Sequence, residues 1–474
     1  MSNMKRSMRR VFWLLALCFF LLLGYLGKLV FVEKDEISGN AYNHRLRYVD
    51  ETICRGDILD REGEVLATSV LQNDGTYYRE YPRARMAAHI TGYSSVAKSG
   101  VEAAENFTLM ALKNEFIQRV SSIVRKTELV GNSVALTVDM DIQSTAGNLL
   151  GSAKGAIVVM EPSTGRILAL QAYPDFNPNS VASQWETLKD HADSPLVNRA
   201  TQGVYPPGST FKTVTALAAM EHLSGWQNFT VECTGEAMFE DKVIHCYNNK
   251  AHGTVDMKAA LAASCNCYFA AVAEKIGAAD LAKTMRQVGM DQASHFELET
   301  SGNNIYLKRG ATESELVETA IGQGRTGVTP LYMAMLASAF ANDGMMMQPY
   351  IVDHVVYPNG NIGKQTVPQK LMEICSAEEA AVLRDMMTEV VTSGTGSAAA
   401  VSGITVAGKT GTAENATGND HSWFIGFAPA EDPKVAVAVL IENSNYGSAT
   451  PIAGKMIRAA LQELGDYCEV FEWN

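Results

Sequence analysis

The hydrophobic positions along the chain fall into three regimes. Residues 11–32 (VFWLLALCFFLLLGYLGKLVFV) are apolar on every side, with Lys28 the one charge. A helix rising about 1.5 Å per residue over this length covers the roughly 30 Å of a bilayer's hydrocarbon, and Lys28 near one end can extend its ammonium to the interface. From 33 to about 150 the chain is polar and mixed, with short β-like pieces such as VALTVD at 134–139. The third regime starts at 155. GAIVVM (155–160) and ILALQ (167–171) are apolar β-forming runs flanking a P-S-T-G turn, which predicts a hairpin.

Helical patterns follow at 210–223, 256–263, 267–276 and 330–341, the last with Pro330 suited to a first turn. Strand patterns return at 403–413, 422–428 and 434–442, separated by turn-formers at 415–420 and between Pro429 and Pro433. Thr450-Pro451 opens a closing helix to about 463. Two strands, a helical insert, three strands and a final helix predict an α/β (α+β) sandwich around one antiparallel sheet. Neither a 20–50-residue repeat nor a low-complexity tract interrupts this order.

Charge orients the first regime. Lys5, Arg6, Arg9 and Arg10 precede the apolar run, and Glu33, Asp35 and Glu36 follow it. The positive-inside rule puts residues 1–10 in the cytoplasm, residues 11–32 across the cell membrane as a single pass, and the rest outside. A cleaved signal peptide would have a shorter apolar region and an A-x-A-like site. A lipoprotein would need a small residue before its cysteine, whereas Leu17 precedes Cys18. An uncleaved anchor is the expectation. The 474 residues, 47% hydrophobic and 19% charged, suit two or three globular domains, divided here at 33–150 and 151–474. A net charge of −13 argues against a nucleic-acid partner, which would demand clustered Lys and Arg.

Seven of the eight cysteines lie beyond the apolar run, at 54, 233, 246, 265, 267, 375 and 468, and an odd number cannot all pair within one chain. Cys233 and Cys246 share a loop-rich stretch and are the favoured disulfide. A zinc site with His245 is a weaker option, because the paired C-x-x-C spacing is missing, and buried free thiols are another.

Candidate chemistry sits in three short motifs. Ser209-Thr-Phe-Lys212 follows Pro-Pro-Gly and opens a helical run, so serine and lysine fall one turn apart on one face. A serine hydroxyl needs a neighbour to take its proton, and a lysine made neutral by burial among apolar groups such as Phe211 can do so. Ser264-Cys-Asn266 lies at a break between two helical runs, where Ser264 can relay a proton and Asn266 can hold a substrate amide or Lys212. Lys409-Thr410-Gly411-Thr412 reads as an edge strand. Such a strand can pair with a peptide, with Gly411 allowing close backbone approach, Lys409, Thr410 and Thr412 suiting a carboxylate, and the Thr412 N–H available to an oxyanion. No cofactor is called for.

Three decoys compete. Ser95-Val-Ala-Lys98 matches the first pattern but lies in a Gly- and Ser-flanked stretch, and Ser301-Gly-Asn303 matches the second. Gly403 through Thr410 (GITVAGKT) fits the phosphate-binding P-loop, yet its inner residues are β-formers and no helix pattern starts at the lysine.

The ordered motif set resembles that of penicillin-binding proteins and β-lactamases. RGDILDREGEVLA (55–67) and YPRARMAAHITGY (81–93) resemble pedestal stretches, and IGQGRTGVTPLYMA (321–334) and HSWFIGFAP (421–429) resemble transpeptidase-domain stretches, of the smaller class B penicillin-binding proteins. That likeness implies a pedestal, a penicillin-binding transpeptidase domain with a five-stranded antiparallel sheet, and Ser209 attack on the penultimate D-alanine carbonyl of a peptidoglycan stem peptide. It also implies β-lactams as covalent inhibitors, and a polytopic glycosyltransferase partner of the shape, elongation, division and sporulation (SEDS) type. Neither an appended C-terminal repeat domain nor a glycosyltransferase domain is expected. The stretch 94–105 matches only loosely. A D,D-carboxypeptidase or β-lactamase is the rival, but no E-x-x-L-N setting occurs between Ser264 and Lys409. A β-lactam sensor would carry more than ten residues before the span.

Overall fold

The computed structural model describes residues 2–31, 53–110, 130–240, 242–308, 310–415, 418–444 and 448–465. The chain begins with helix α1 (Ser2–Phe31). Its described side chains run unbroken from Arg10 to Leu26, and Phe12, Trp13, Leu14, Phe20 and Leu21 among them are exposed. Among the described residues no helix is long and apolar enough to cross a membrane. The expected span of 11–32 reaches past that run; Glu33, Asp35, Glu36 and Cys468 lie outside the described residues, as do 33–52 and 111–129 of the pedestal stretch and residues 416 and 417 of the expected turn.

A six-stranded sheet forms around β1 (Ile58–Leu59), β2 (Val65–Leu71), β3 (Tyr77–Glu80) and β4 (Ser133–Leu136). Beside it Glu102, fully buried, takes Arg55 Nη2 on one carboxylate oxygen and Arg79 Nε on the other, both at 2.6 Å. Burial alone would push this carboxyl up, but the two guanidiniums overcome it and hold the group down at about 2.

The second sheet positions the chemistry. Its order is β15 (Ala407–Ala413), β16 (His421–Ala428), β17 (Val435–Ile441), β5 (Gly155–Met160), β6 (Ile167–Tyr173), every neighbouring pair antiparallel. All seven residues of β17 (VAVAVLI) are buried, because both faces of the sheet are covered. Each such aliphatic side chain contributes roughly 1.5–3 kcal/mol on burial, and a charge at Val437 would sit there unpaired. One face packs on α2 (Met140–Leu150) and the C-terminal α8 (Ala449–Glu463). The other packs on the all-buried α6 (Pro330–Ala341) and the helical insert. Side-chain caps start these helices, the last two at the predicted places and α2 in a stretch where no helix was predicted: Asp139 accepts from the Asp141 and Ile142 amides, Thr329 from Tyr332 ahead of Pro330, and Ser448 from Thr450.

The insert contains α3 (Lys212–His222), two small hairpin-like pairs, α4 (Met257–Ala262), α5 (Asn266–Gln287) and α7 (Ala377–Thr392). The pairs are β7 (Val231–Cys233) with β10 (Gly253–Val255) and β8 (Glu236–Phe239) with β9 (Lys242–His245). Helix α5 outruns its predicted end at 276 because Gly277, at φ +81°, supplies a kink after which the helix resumes. Strand β11 (Met345–Met347) pairs with β14 (Lys370–Glu373). Strands β12 (Val352–Val356) and β13 (Ile362–Gln365) return to the first sheet, β12 pairing with β4.

Candidate active site

Three segments meet where the first sheet edge of the catalytic half, β15, faces the insert. The first is the turn Gly208–Phe211, which is 3₁₀ and leads into α3. Residues three apart eclipse in a 3₁₀ turn, so the Lys212 side chain reaches back and its Nζ lies 3.1 Å from Ser209 Oγ. Backbone and side chains pin this turn to the sheet. Trp423 Nε1 of β16 donates to the Pro206 carbonyl at 2.9 Å, while within the turn Thr210 Oγ1 donates to Pro207 O at 2.6 Å. Gly208 has φ +54°, and a Cβ there would lie 2.4 Å from Thr412 O. Only glycine fits both the conformation and the approach.

The second segment is the turn between α4 and α5. Ser264 holds φ +55°, a left-handed backbone that a non-glycine residue keeps only when its surroundings impose it. Lys212 Nζ donates to Ser264 O at 2.7 Å and contacts Ser264 Oγ at 3.2 Å and Asn266 Oδ1. Asn266 Nδ2 in turn donates to His245 O at 2.7 Å. The third segment is β15. Lys409 Nζ donates to Ser264 Oγ at 3.1 Å and to the Thr410 carbonyl at 2.9 Å. Ser264 Oγ is therefore shared by both lysines.

Lys212 and Lys409 are fully buried. Burial pushes the Lys212 amine down to about 8, against a partial upward pull from Cys265, Cys246 and Cys267. Burial and the neighbouring Lys212 charge push Lys409 well below the ordinary lysine range. Two ammoniums cannot sit together here without an anion. A neutral Lys212 amine has a lone pair that can accept the Ser209 hydroxyl proton, which is what a nucleophile's base must do. The Phe269 ring, 5.8 Å from Lys212 Nζ, and the buried Phe211 complete the apolar surround.

The three segments line a groove of about 1130 Å³ that includes Ser209, Asn266, Thr410, Gly411 and Thr412. Thr412 is exposed to it, Thr410 is half-buried, and Gly411 is buried. A Cβ on Gly411 would lie 3.0 Å from Pro207 O, so the backbone needing that space is the nucleophile turn. Two groove features carried no signal in the sequence: Thr395, whose Oγ1 lies 2.7 Å from Thr410 Oγ1, and the His245 carbonyl that fixes Asn266.

The decoys fall elsewhere. Residues 95–97 form a bend, with Lys98 following it, between two short helices. Ser301 Oγ donates to Gln202 O at 2.8 Å and Asn303 Oδ1 accepts from the Thr329 amide at 3.1 Å, both bracing loops. Lys409 lies inside β15 with strand on both sides, so the P-loop geometry of a helix starting at the lysine is absent. The strand begins at Ala407, later than the expected 403, because Gly403 takes φ +75° in a turn closed by Val401 and Ile404.

The expected Cys233–Cys246 disulfide is overturned. The two sulfurs lie 3.6 Å apart, unbonded, and Cys246 Sγ is also 3.8 Å from Cys265 Sγ and 3.6 Å from Cys267 Sγ. Four thiols crowd one point, and no single pair is drawn to bonding distance. His245, the histidine weighed for a zinc site, points instead to Glu236, and His252 is the one that meets the thiols.

Residues 155–462 match the penicillin binding protein transpeptidase domain, and residues 55–134 match the penicillin binding protein A dimerisation domain. The peptidoglycan D,D-transpeptidase PbpA of Mycolicibacterium smegmatis is 33% identical over 97% of this chain and 100% of its own. Among solved structures, the D,D-transpeptidase domain of a peptidoglycan glycosyltransferase from Eggerthella lenta aligns with TM-score 0.80 at 37% identity, covering 87% of this chain and 99% of that one. Penicillin-binding protein A of M. tuberculosis, as an imipenem acyl-enzyme complex, aligns with TM-score 0.82 at 32% identity, covering 87% and 99%. With both domain matches in order and likeness over nearly its whole length, the chain belongs to the penicillin-binding proteins, in their class B.

Proposed function

We propose that this chain is a serine D,D-transpeptidase that cross-links peptidoglycan stem peptides through an acyl-enzyme on Ser209. The observation that carries the roles is one hydrogen-bonded chain: Ser209 Oγ to Lys212 Nζ, Lys212 Nζ to Ser264 Oγ, and Ser264 Oγ to Lys409 Nζ.

Lys212, neutral, takes the Ser209 proton as Oγ forms its bond to the penultimate D-alanine carbonyl carbon. The developing oxyanion meets the backbone N–H groups of Ser209 and Thr412, each such donor being worth on the order of 10²–10³ in rate. The peptide C–N bond then breaks. Ser264 hands a proton, replaced from Lys212, to the departing D-alanine amine. Lys409, with Thr410 and Thr412, receives the terminal carboxylate, whose negative charge compensates the second buried cation. Asn266 holds the donor amide and steadies Lys212. An amine on a neighbouring stem attacks the Ser209 ester; the new peptide bond forms as the Oγ–C bond breaks, and the amine's proton passes through Lys212 to Ser209 Oγ, leaving Lys212 neutral. A β-lactam enters the same first step, its ring nitrogen taking the place of the leaving amine, and remains as a stable acyl group.

The exposed apolar side chains of α1 and the basic residues before them support a single-pass anchor with a cytoplasmic N-terminus and an extracytoplasmic catalytic domain. The family likeness supports a pedestal over 33–150 that meets a SEDS-type glycosyltransferase. Incubating the full chain in detergent with lipid-linked peptidoglycan and such a polymerase tests the reading. Cross-linked muropeptides support transpeptidation; trimmed stems without cross-links would mean that the acyl group passes to water.

A further inference from the structure

Cys233, Cys246, His252 and Cys265 present three sulfurs and one ring nitrogen within 4.8 Å of one another. The three cysteines are 2% exposed or less, and the histidine is half-buried. Three of their six edges have the length that a coordination shell sets. A tetrahedral ion at about 2.3 Å from sulfur and about 2.0 Å from nitrogen sets edges of about 3.8 Å between sulfurs and about 3.5 Å between sulfur and nitrogen. The observed edges are 3.6 Å for Cys233 to Cys246, 3.8 Å for Cys246 to Cys265, and 3.5 Å for Cys233 Sγ to His252 Nδ1.

The surroundings are those of a bound thiolate set. The Tyr268 amide donates to Cys265 Sγ at 3.5 Å, and Cys267, outside the four, lies 3.6 Å from Cys246 Sγ, where its S–H can donate. Such outer partners orient ligands and spread their charge. The backbone is arranged to match. The His252 amide donates to Cys233 O at 3.1 Å, and the Cys246 amide donates to Gly235 O at 2.8 Å, so the β7/β10 and β8/β9 pairs aim their ends at one spot.

We propose that these four residues bind one zinc ion, a structural site that fastens the two strand pairs to the turn bearing Ser264 and Asn266. Soft thiolates with one imidazole, closed to a fourth exchangeable position, select zinc among common divalent ions and leave no open place for catalysis. Its consequence is positional. Cys265 lies between Ser264 and Asn266, and Cys246 follows His245, whose carbonyl holds the Asn266 amide. Ser264 keeps its left-handed backbone, and that strain persists only while the neighbours are fixed. The ion would supply that fixation, about one residue from the hydroxyl shared by the two lysines.

The metal content stands apart from the proposed reaction, whereas the positional role rests on Ser209 acylation. The test uses the full chain purified reduced in detergent, measured by elemental analysis and after cobalt substitution by absorption spectroscopy. The expected result is close to one zinc per chain and, with cobalt, the thiolate charge-transfer and intense tetrahedral bands. Cys233→Ser and His252→Ala should lose the ion, while His252→Cys, which rebuilds four ligands, and Cys375→Ser, remote from the cluster, should keep it. Chelation of wild type should slow fluorescent-penicillin acylation at least tenfold, and zinc, not a thiol reductant, should restore it. Less than a tenth of an ion per chain with no cobalt bands, or rescue by reductant with a Cys233–Cys246 disulfide in the peptide map, would overturn the site. Zinc present with acylation indifferent to its removal would overturn the positional role alone.

Discussion

Replacing Lys212 by Arg removes the proposed base while keeping a long cation, and the structure sets the size of the effect. Burial holds the wild-type amine at about 8 instead of 10.5. At pH 7 about one chain in eleven then carries a neutral Lys212, against about one in 3000 for an unperturbed lysine, a gain of roughly 300-fold in usable base. The acylation rate should therefore climb close to tenfold between pH 6 and 7, more gently to 8, and level off above it. Arginine does not deprotonate in this range, so Lys212→Arg should lose about 10²–10⁴ in rate and show no such rise. The same burial acts on stability with a definite sign. The charged form is the disfavoured one in the fold, so the unfolded chain binds the proton more tightly between about 8 and 10.5. The penalty is full below 8, shrinks through that window, and is gone above it. The assay is stopped-flow acylation with a fluorescent penicillin over pH 6–9. A flat wild-type profile, or normal rates for Lys212→Arg, would refute the assignment of the base.

Gly208→Ala places a Cβ 2.4 Å from Thr412 O at φ +54°, and should cut acylation at least tenfold while the pedestal's hydrogen exchange stays unchanged. Ser264→Ala removes the hydroxyl that both lysines share, so penicillin labelling should persist but slow by about 10²-fold in a time course. Glu102→Gln leaves the Arg55 and Arg79 guanidiniums without their buried anion, and should cost the pedestal about 3–5 kcal/mol, read as faster exchange over residues 55–109. In wild type the Glu102 contribution is complete above about 4.5 and disappears as pH falls toward 2, because the folded carboxyl lies below its unfolded value.

Much of the catalytic half was legible in the sequence because its signals are local. Continuous apolar β-formers at 155–160 and 435–441 announce strands, and Pro330 announces the start of α6. The lysine-serine spacing at 209 and 212 carried the nucleophile turn, though its 3₁₀ form shows only in the backbone. What stayed hidden is long-range. Nothing in VDHVV at 352–356 tells that it pairs with 133–136 across two hundred residues, since pairing register leaves no trace in either strand alone. The thiol cluster is hidden for a similar reason. Cys233, Cys246, His252 and Cys265 come from two strand pairs and a helix junction, so their convergence follows from the fold and not from any spacing.

The most direct test of the central claim is mass spectrometry of the full chain after benzylpenicillin, with the modified peptide mapped. One penicilloyl group on Ser209, absent from Ser209→Ala, is the predicted result. An adduct on Ser95 or any other residue, or equal modification of Ser209→Ala, would contradict the account.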